Sequence, residues 1–468
     1  MVFSSFAFLF CFLPAFLLVY LLVPGLWKNR VLFAASLVFY YYGVREHPFY
    51  VLLMLLSILV NYGAARCMVR CRRKKGRNLC LAAGMGWNIG CLFVFKYLDF
   101  VSRNVNLLLE QTGTAARLPY VHLVLPIGIS FYTFQISSYL IDVYRKEGKA
   151  EPSLLTLGTY LCMFPQLIAG PIVTYSQVQR QMREREHSFW NLEEGLREFT
   201  IGLTLKVLIA NRVGSLWTWT GSIGYESISC PMAWLGIAAY TFQIYFDFYG
   251  YSLMAKGLGT MMGFDFPDNF HNPYLSRSMT EFWRRWHMTL GGWFREYVYI
   301  PLGGNRSHPY RNLFLVWMLT GLWHGASWNF VLWGFSLFLL LLLEKRGLKK
   351  ILDRLPVLGH LYMLLVIPLS WLMFAVNDFS QFRIYLTRLF PFLGQTTGAV
   401  YHGDFIKYGS ACIWPMAAAL LCCTGLPRML YEKKKYSAPV TFGLVLLFWA
   451  CAYCMYLGLD DPFLYYQF

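Results

Sequence analysis

Apolar runs, many of them long enough to cross a bilayer, recur along the whole chain, with short basic segments between them. They lie near residues 2–24, 31–43, 48–65, 79–98, 119–141, 199–217, 231–249, 313–343, 356–376, 408–424 and 438–457. A helix needs roughly 20 apolar residues to traverse the hydrocarbon core, and a helix satisfies its own backbone polar groups there. No soluble fold could hide so much apolar surface: of 468 residues, 57% are hydrophobic and only 14% charged. The pattern predicts an all-α integral membrane protein, a polytopic bundle of about ten or more transmembrane and re-entrant helices. One domain is expected over residues 1–468.

The formal net charge of +17 would suit a nucleic-acid binder, but the basic residues fall in short loops between apolar runs. That is the positive-inside pattern, and no soluble domain offers a basic face to nucleic acid. Segment 66–78 holds Arg66, Arg70, Arg72, Arg73, Lys74, Lys75 and Arg77 with no acid, so it is expected in the cytoplasm. A turn at Lys28–Arg30 then lies inside as well, and the N-terminus outside. Basic loops near 345–354 and 428–435 are an even number of crossings apart, which leaves the C-terminal tail outside. The first 24 residues carry no charge and read as a first span, not a cleaved leader. Twelve cysteines are scattered and mostly within apolar runs; Cys67 and Cys71 lack partner ligands for zinc, and no metal site is expected.

The middle of the chain is less regular. Pro165, Gly170 and Pro171 interrupt residues 154–173, which predicts a broken or re-entrant segment. Residues 177–197 carry both signs of charge and read as an interfacial amphipathic helix. Arg103, Glu110 and Arg117 are expected in an outer loop, and Asp247 near a membrane boundary. Residues 263–311 are too polar to span and predict several short helices. The run 313–343 exceeds one crossing, and Gly321 and Gly325 bracket His324, which suggests one helix bent at the histidine.

Two histidines carry the chemistry. His324 lies deep in an apolar run, where an ionisable group is costly without a partner. It reads either as a functional group or as a neutral histidine bridging two helices. His287 follows Trp283-Arg284-Arg285-Trp286, a composition suited to a membrane interface. A histidine near its unperturbed pKa is suited to serve as a general base. Asn329 reads as a polar contact between helices. Arg284, Arg285 and Arg295 carry guanidinium forks that match the phosphates of a ligand, or else snorkel to headgroups, with Asp247 and Glu281 as structural partners. There is no Gly-x-Ser-x-Gly elbow and no phosphate-binding loop with a following lysine. A transporter or flippase is the rival class; it predicts repeated halves and a charged midplane site, and neither is visible.

Several motifs in order resemble one family. Pro126-Ile127-Gly128-Ile129-Ser130-Phe131-Tyr132 is followed by Phe164-Pro165-Gln166-Leu167-Ile168-Ala169-Gly170-Pro171. Then come Phe266-Pro267-Asp268-Asn269-Phe270, Glu281 to His287, Tyr299-Ile300-Pro301-Leu302-Gly303-Gly304 and Gly321 to Gly325. Together they resemble the membrane-bound O-acyltransferases, in the bacterial branch similar to the alginate O-acetylation membrane subunit. The resemblance implies helices around a central funnel, with His324 as the family's invariant histidine and His287 as its second. It implies no permanently bound cofactor, and acetyl coenzyme A or another acyl thioester as donor. An extracytoplasmic SGNH-hydrolase-like partner and a glycan acceptor are also implied. Tyr465 and Tyr466 in the aromatic tail are implied as an acyl relay. The alternative within the family is D-alanyl transfer toward teichoic acid from an acyl-carrier protein. At Gly291, Glu296, Leu253 and His271 the chain departs from the usual family pattern.

Overall fold

The computed structural model describes residues 2–146, 150–168, 170–186, 188–394, 398–458 and 463–464. Among them the regular structure is helical, with no β-strand. Among the described residues six helices are long and apolar enough to cross a membrane: Phe49–Arg70, Lys74–Gln111, Phe189–Ile223, Pro356–Ala375, Asp404–Cys423 and Ala438–Tyr456. The chain is a multi-pass membrane protein, as its apolar runs predict.

The residues fall into two compact units. The first comprises Met1–Gly195 and Ala255–Pro267. Within it, Asn61 and Asn88 exchange hydrogen bonds of 2.8 and 2.9 Å, a polar contact joining Phe49–Arg70 to Lys74–Leu92. Glu151 is buried and accepts from Tyr175 and, at 3.0 Å, from Arg183. The break expected in 154–173 is present: Leu154–Cys162 stops at Met163, and the single turn Phe164–Leu167 follows.

Three expectations in this unit are corrected. Lys28 to Arg30 form no turn but lie within helix Gly25–Gly43, with Lys28 buried and its ammonium over the Tyr20 ring. The turn comes earlier, at Val23 and Pro24, where proline fixes a non-helical entry. Arg103 and Glu110 lie on the helical stretch Lys74–Gln111, not in a loop. Residues 177–197 do not form one helix: after Tyr175–Val178 the chain turns, and regular helix resumes at Phe189.

The second unit comprises Leu196–Met254 and Asp268–Phe468. Its polar stretch breaks into short pieces as expected: Pro273–Leu275, Met279–Arg285, Met288–Phe294 and Arg295–Tyr299. The long run 313–343 does not bend as one helix. It folds back as a hairpin of Pro309–His324 and Trp328–Leu343, each 16 residues and so about 24 Å long. Antiparallel packing follows from contacts whose numbers rise on one helix as they fall on the other: Phe314 on Phe338, Trp317 on Gly334 and Gly321 on Phe330. A Cβ at Gly334 would stand 2.5 Å from the Trp317 carbonyl oxygen, and one at Gly321 would strike that of Phe330. These glycines let the two backbones touch.

Candidate functional site

His324 is the last residue of the first hairpin helix. The chain then becomes extended at Gly325, where a Cβ would run into the Phe330 ring. Only a small residue lets the turn close there. The imidazole stands edge-on to Trp333 and Phe374, with ring centroids at 5.0 and 5.2 Å, and lies 4.9 Å from Trp323. It is 8% exposed. Trp323 also lies 6.1 Å from the His287 ring, so one indole contacts both imidazoles.

His287 is held differently. It sits at the junction of Met279–Arg285 and Met288–Phe294 in the left-handed region, with φ 44° and ψ 53°. That conformation costs a non-glycine residue about 1–2 kcal/mol, and such outliers point toward function. Asn269 fixes the corner. Its backbone carbonyl accepts from the Met288 N–H at 2.9 Å. Its Oδ1 accepts from the Thr289 hydroxyl at 2.9 Å and the Thr289 N–H at 3.3 Å, and lies 3.0 Å from His287 Nδ1.

This arrangement settles the tautomer. A backbone N–H can only donate, so the amide oxygen faces Thr289 and His287, while Asn269 Nδ2 donates to Ser252 at 3.1 Å. Oδ1 can only accept, so Nδ1 of His287 carries the proton. Nε2 is left with its lone pair, buried and without a hydrogen bond among the described residues. His287 lies outside the six spans and is 2% exposed; burial lowers its pKa to about 3, so the ring is neutral. In this tautomer Nε2 can accept a proton or a hydrogen bond and cannot donate one to a substrate carbonyl.

The two histidines are braced together. Buried Glu344, just beyond the second hairpin helix, accepts from the N–H groups of Met279 and Thr280 at 2.6 and 2.8 Å. It thus caps the orphan donors that start Met279–Arg285, and its charge suits the positive end of that helix. The Trp283 ring on the same helix packs on Trp317 at 4.9 Å and Trp333 at 5.7 Å. Asn329 ties the hairpin to Pro356–Ala375 by donating to the Phe374 carbonyl at 3.4 Å and, just past that helix, to Asn377 at 2.7 Å, the structural contact expected of it.

The other predicted residues divide. Arg285 pairs with Glu281 at 2.7 Å. Arg284 and Arg295 are exposed. The pairing of Asp247 with these arginines is corrected: it is buried and pairs with Lys206. Lys206 lies in a π-helical turn, Leu205–Ala210, just past a crossing where a Cβ at Gly202 would stand 2.5 Å from the Gly250 carbonyl oxygen. The pair sits at this contact of two backbones. Asp247 Oδ2 also accepts from the Leu464 N–H at 2.8 Å. Phe463 stacks on Tyr251 at 4.7 Å and meets Phe248 at 6.0 Å, and Phe248 meets the His287 ring at 4.7 Å. The tail thus reaches the aromatic wall beside His287. Tyr465 and Tyr466 lie outside the described residues.

Sequence reasoning assigned no role to Asn269, Lys206, Glu344 or Trp323. Asn269 lay within a quoted motif, but the hydrogen bonds that give it a role depend on the backbone corner at His287.

The sequence model of MBOAT, the membrane-bound O-acyltransferase family, matches residues 95–350, just over half of the chain. The chain is 42% identical over 342 residues to an Azotobacter vinelandii protein named "Probable alginate O-acetylase AlgI", covering 71% of this chain and 66% of that one. It is 35% identical to a Helicobacter pylori peptidoglycan O-acetyltransferase, over 71% of this chain and 68% of the relative. A Bacillus subtilis teichoic acid D-alanyltransferase is 27% identical over 46% of this chain and 58% of its own.

Proposed function

The chain belongs to the membrane-bound O-acyltransferase family, and from that premise we propose that it transfers an acetyl group from a cytoplasmic thioester donor for O-acylation of an extracytoplasmic polysaccharide or cell-wall glycan. The observation that carries the reading is the pair of buried histidines around Trp323, one with a fixed, unbonded lone pair. In this reading His324 is the base on the acceptor hydroxyl. His287 Nε2 accepts a hydrogen bond from a substrate N–H or O–H and so orients the donor, a task that its tautomer suits. The exposed Arg284 and Arg295, with Arg285, meet the phosphates of coenzyme A. Acetyl rather than D-alanyl transfer is favoured by the higher identity to the O-acetylating relatives.

Both termini then lie on the extracytoplasmic side. An SGNH-hydrolase-like partner there receives the acyl group, with Tyr465 or Tyr466 as relay. Docking of Phe463 and Leu464 beside Phe248 and Asp247 supports a tail that works at this site. The test supplies membranes containing the protein with radiolabelled acetyl coenzyme A or with radiolabelled D-alanyl carrier protein. Label in glycan from the first donor alone is the expected result. Label from the second alone moves the assignment to D-alanyl transfer, and label from neither contradicts a thioester donor of either kind.

A further inference from the structure

A second cleft in the Leu196–Phe468 part of the chain, of about 640 Å³, has a composition unlike the histidine site. Its walls are apolar: Ile201, Leu205, Phe246, Leu444 and Leu447 among them. Cys422 of the span Asp404–Cys423 lines it, as do Val440 and Gly443 of the span Ala438–Tyr456. Its mouth is cationic, formed by Arg428, Lys433 and Lys434 on the short helix Leu426–Lys434 that joins those spans.

The charges at this mouth are unequal in kind. Arg428 is engaged by Glu198 at 3.0 Å and by Glu432 at 2.8 Å. Those acids are therefore committed, and Glu432 also faces Lys435 at 3.8 Å. Lys433 and Lys434 are exposed, and neither has an ion pair among the described residues. Two unbalanced ammonium groups thus stand at the end of an apolar slot between two membrane spans. Gly443 keeps the slot open: a Cβ there meets nothing within 4 Å.

We propose that this cleft binds an anionic phospholipid, with an acyl chain between Asp404–Cys423 and Ala438–Tyr456 and the headgroup phosphate at Lys433 and Lys434. A soluble anion would leave the apolar walls unfilled. A neutral lipid would leave the lysine charges unanswered, and basic residues at a bilayer surface attract anionic headgroups. The cleft also adjoins the helix that serves the histidine site. Phe246 and Tyr249 line the cleft, whereas Asp247 and Phe248 on the same turn hold the tail and the His287 ring.

The test uses the full chain in nanodiscs of phosphatidylcholine, doped with either a photoactivatable phosphatidylglycerol or an equal amount of photoactivatable phosphatidylcholine. Crosslinks are mapped by mass spectrometry. The anionic probe is expected to label residues 427–447 about tenfold more than the neutral one. Lys433→Gln with Lys434→Gln should bring the anionic probe down to the neutral level. Gly443→Phe, which projects into open space from a helix that tolerates the change, should abolish labelling by both. Free glycerol phosphate should not compete. Equal labelling by the two lipids, persistence in Gly443→Phe, or displacement by glycerol phosphate would each overturn the proposal. The two variants change different features of the cleft, its charge and its open space, so either one suffices if the other folds poorly.

Discussion

The two histidines share one indole, yet they are set in place by opposite means. His324 ends a helix of the hairpin and is boxed by the rings of Trp323, Trp333 and Phe374. His287 sits on a left-handed corner and is tied through Nδ1 to Asn269. Ring packing restricts where an imidazole lies, while a hydrogen bond to a fixed acceptor also decides which nitrogen keeps the proton. The site therefore combines one histidine boxed by aromatic rings with another whose proton is assigned by a neighbour.

The support beneath this arrangement is the easiest part to break. Asp247→Ala strands the buried Lys206 ammonium, and removing one partner of a buried pair costs about 3–5 kcal/mol. Unfolding in detergent should shift by that amount, and adding Lys206→Met should recover most of it. An unchanged midpoint in the single variant would mean that the pair does not support the site.

A sharper probe is Asn269→Ala, which removes the acceptor that assigns the tautomer. A buried hydrogen bond lost from one side costs about 1–3 kcal/mol, so acyl transfer should fall roughly tenfold to a hundredfold at unchanged abundance. The profile of transfer against pH should also change shape, because losing the acceptor on Nδ1–H changes the affinity of the ring for a second proton. A variant that is merely less stable would keep the wild-type profile.

The effect that is smallest per step of pH comes from the titration of His287. Burial lowers the His287 pKa to about 3, against roughly 6.5 in an unfolded chain. Between these values the unfolded chain takes up a proton that the folded one refuses. Stability is thus full above about 6.5 and is lost as pH falls toward 3, by up to about 1.4 kcal/mol per pH unit. His287→Gln removes this dependence, so its stability should decline less steeply across that window. Parallel curves for variant and wild type would show that His287 is not held neutral.

How much of this the sequence disclosed depended on whether the information was local. Apolar length marked spans such as Pro356–Ala375, and polarity marked the short helices of 263–311, because both follow from transfer energetics along the chain. Sequence motifs singled out His287 and His324, which the fold brings to one indole. The hairpin was missed because an apolar run of 31 residues reads alike whether it bends or doubles back. What decides is the close approach of Gly321 and Gly334 to backbone, a contact between positions distant in sequence. For the same reason Asp247 was matched to the wrong cation: Lys206 lies far from it in sequence and reaches it only where Gly202 and Gly250 let two helices touch.

The most direct test of the account compares acetyl transfer from radiolabelled acetyl coenzyme A by the intact protein and by His324→Ala at matched abundance in membranes. Removing a general base lowers a rate by about 10²–10⁴-fold, and a loss of that size with unchanged protein level is the predicted result. Equal label in both would remove His324 from the reaction and contradict the account.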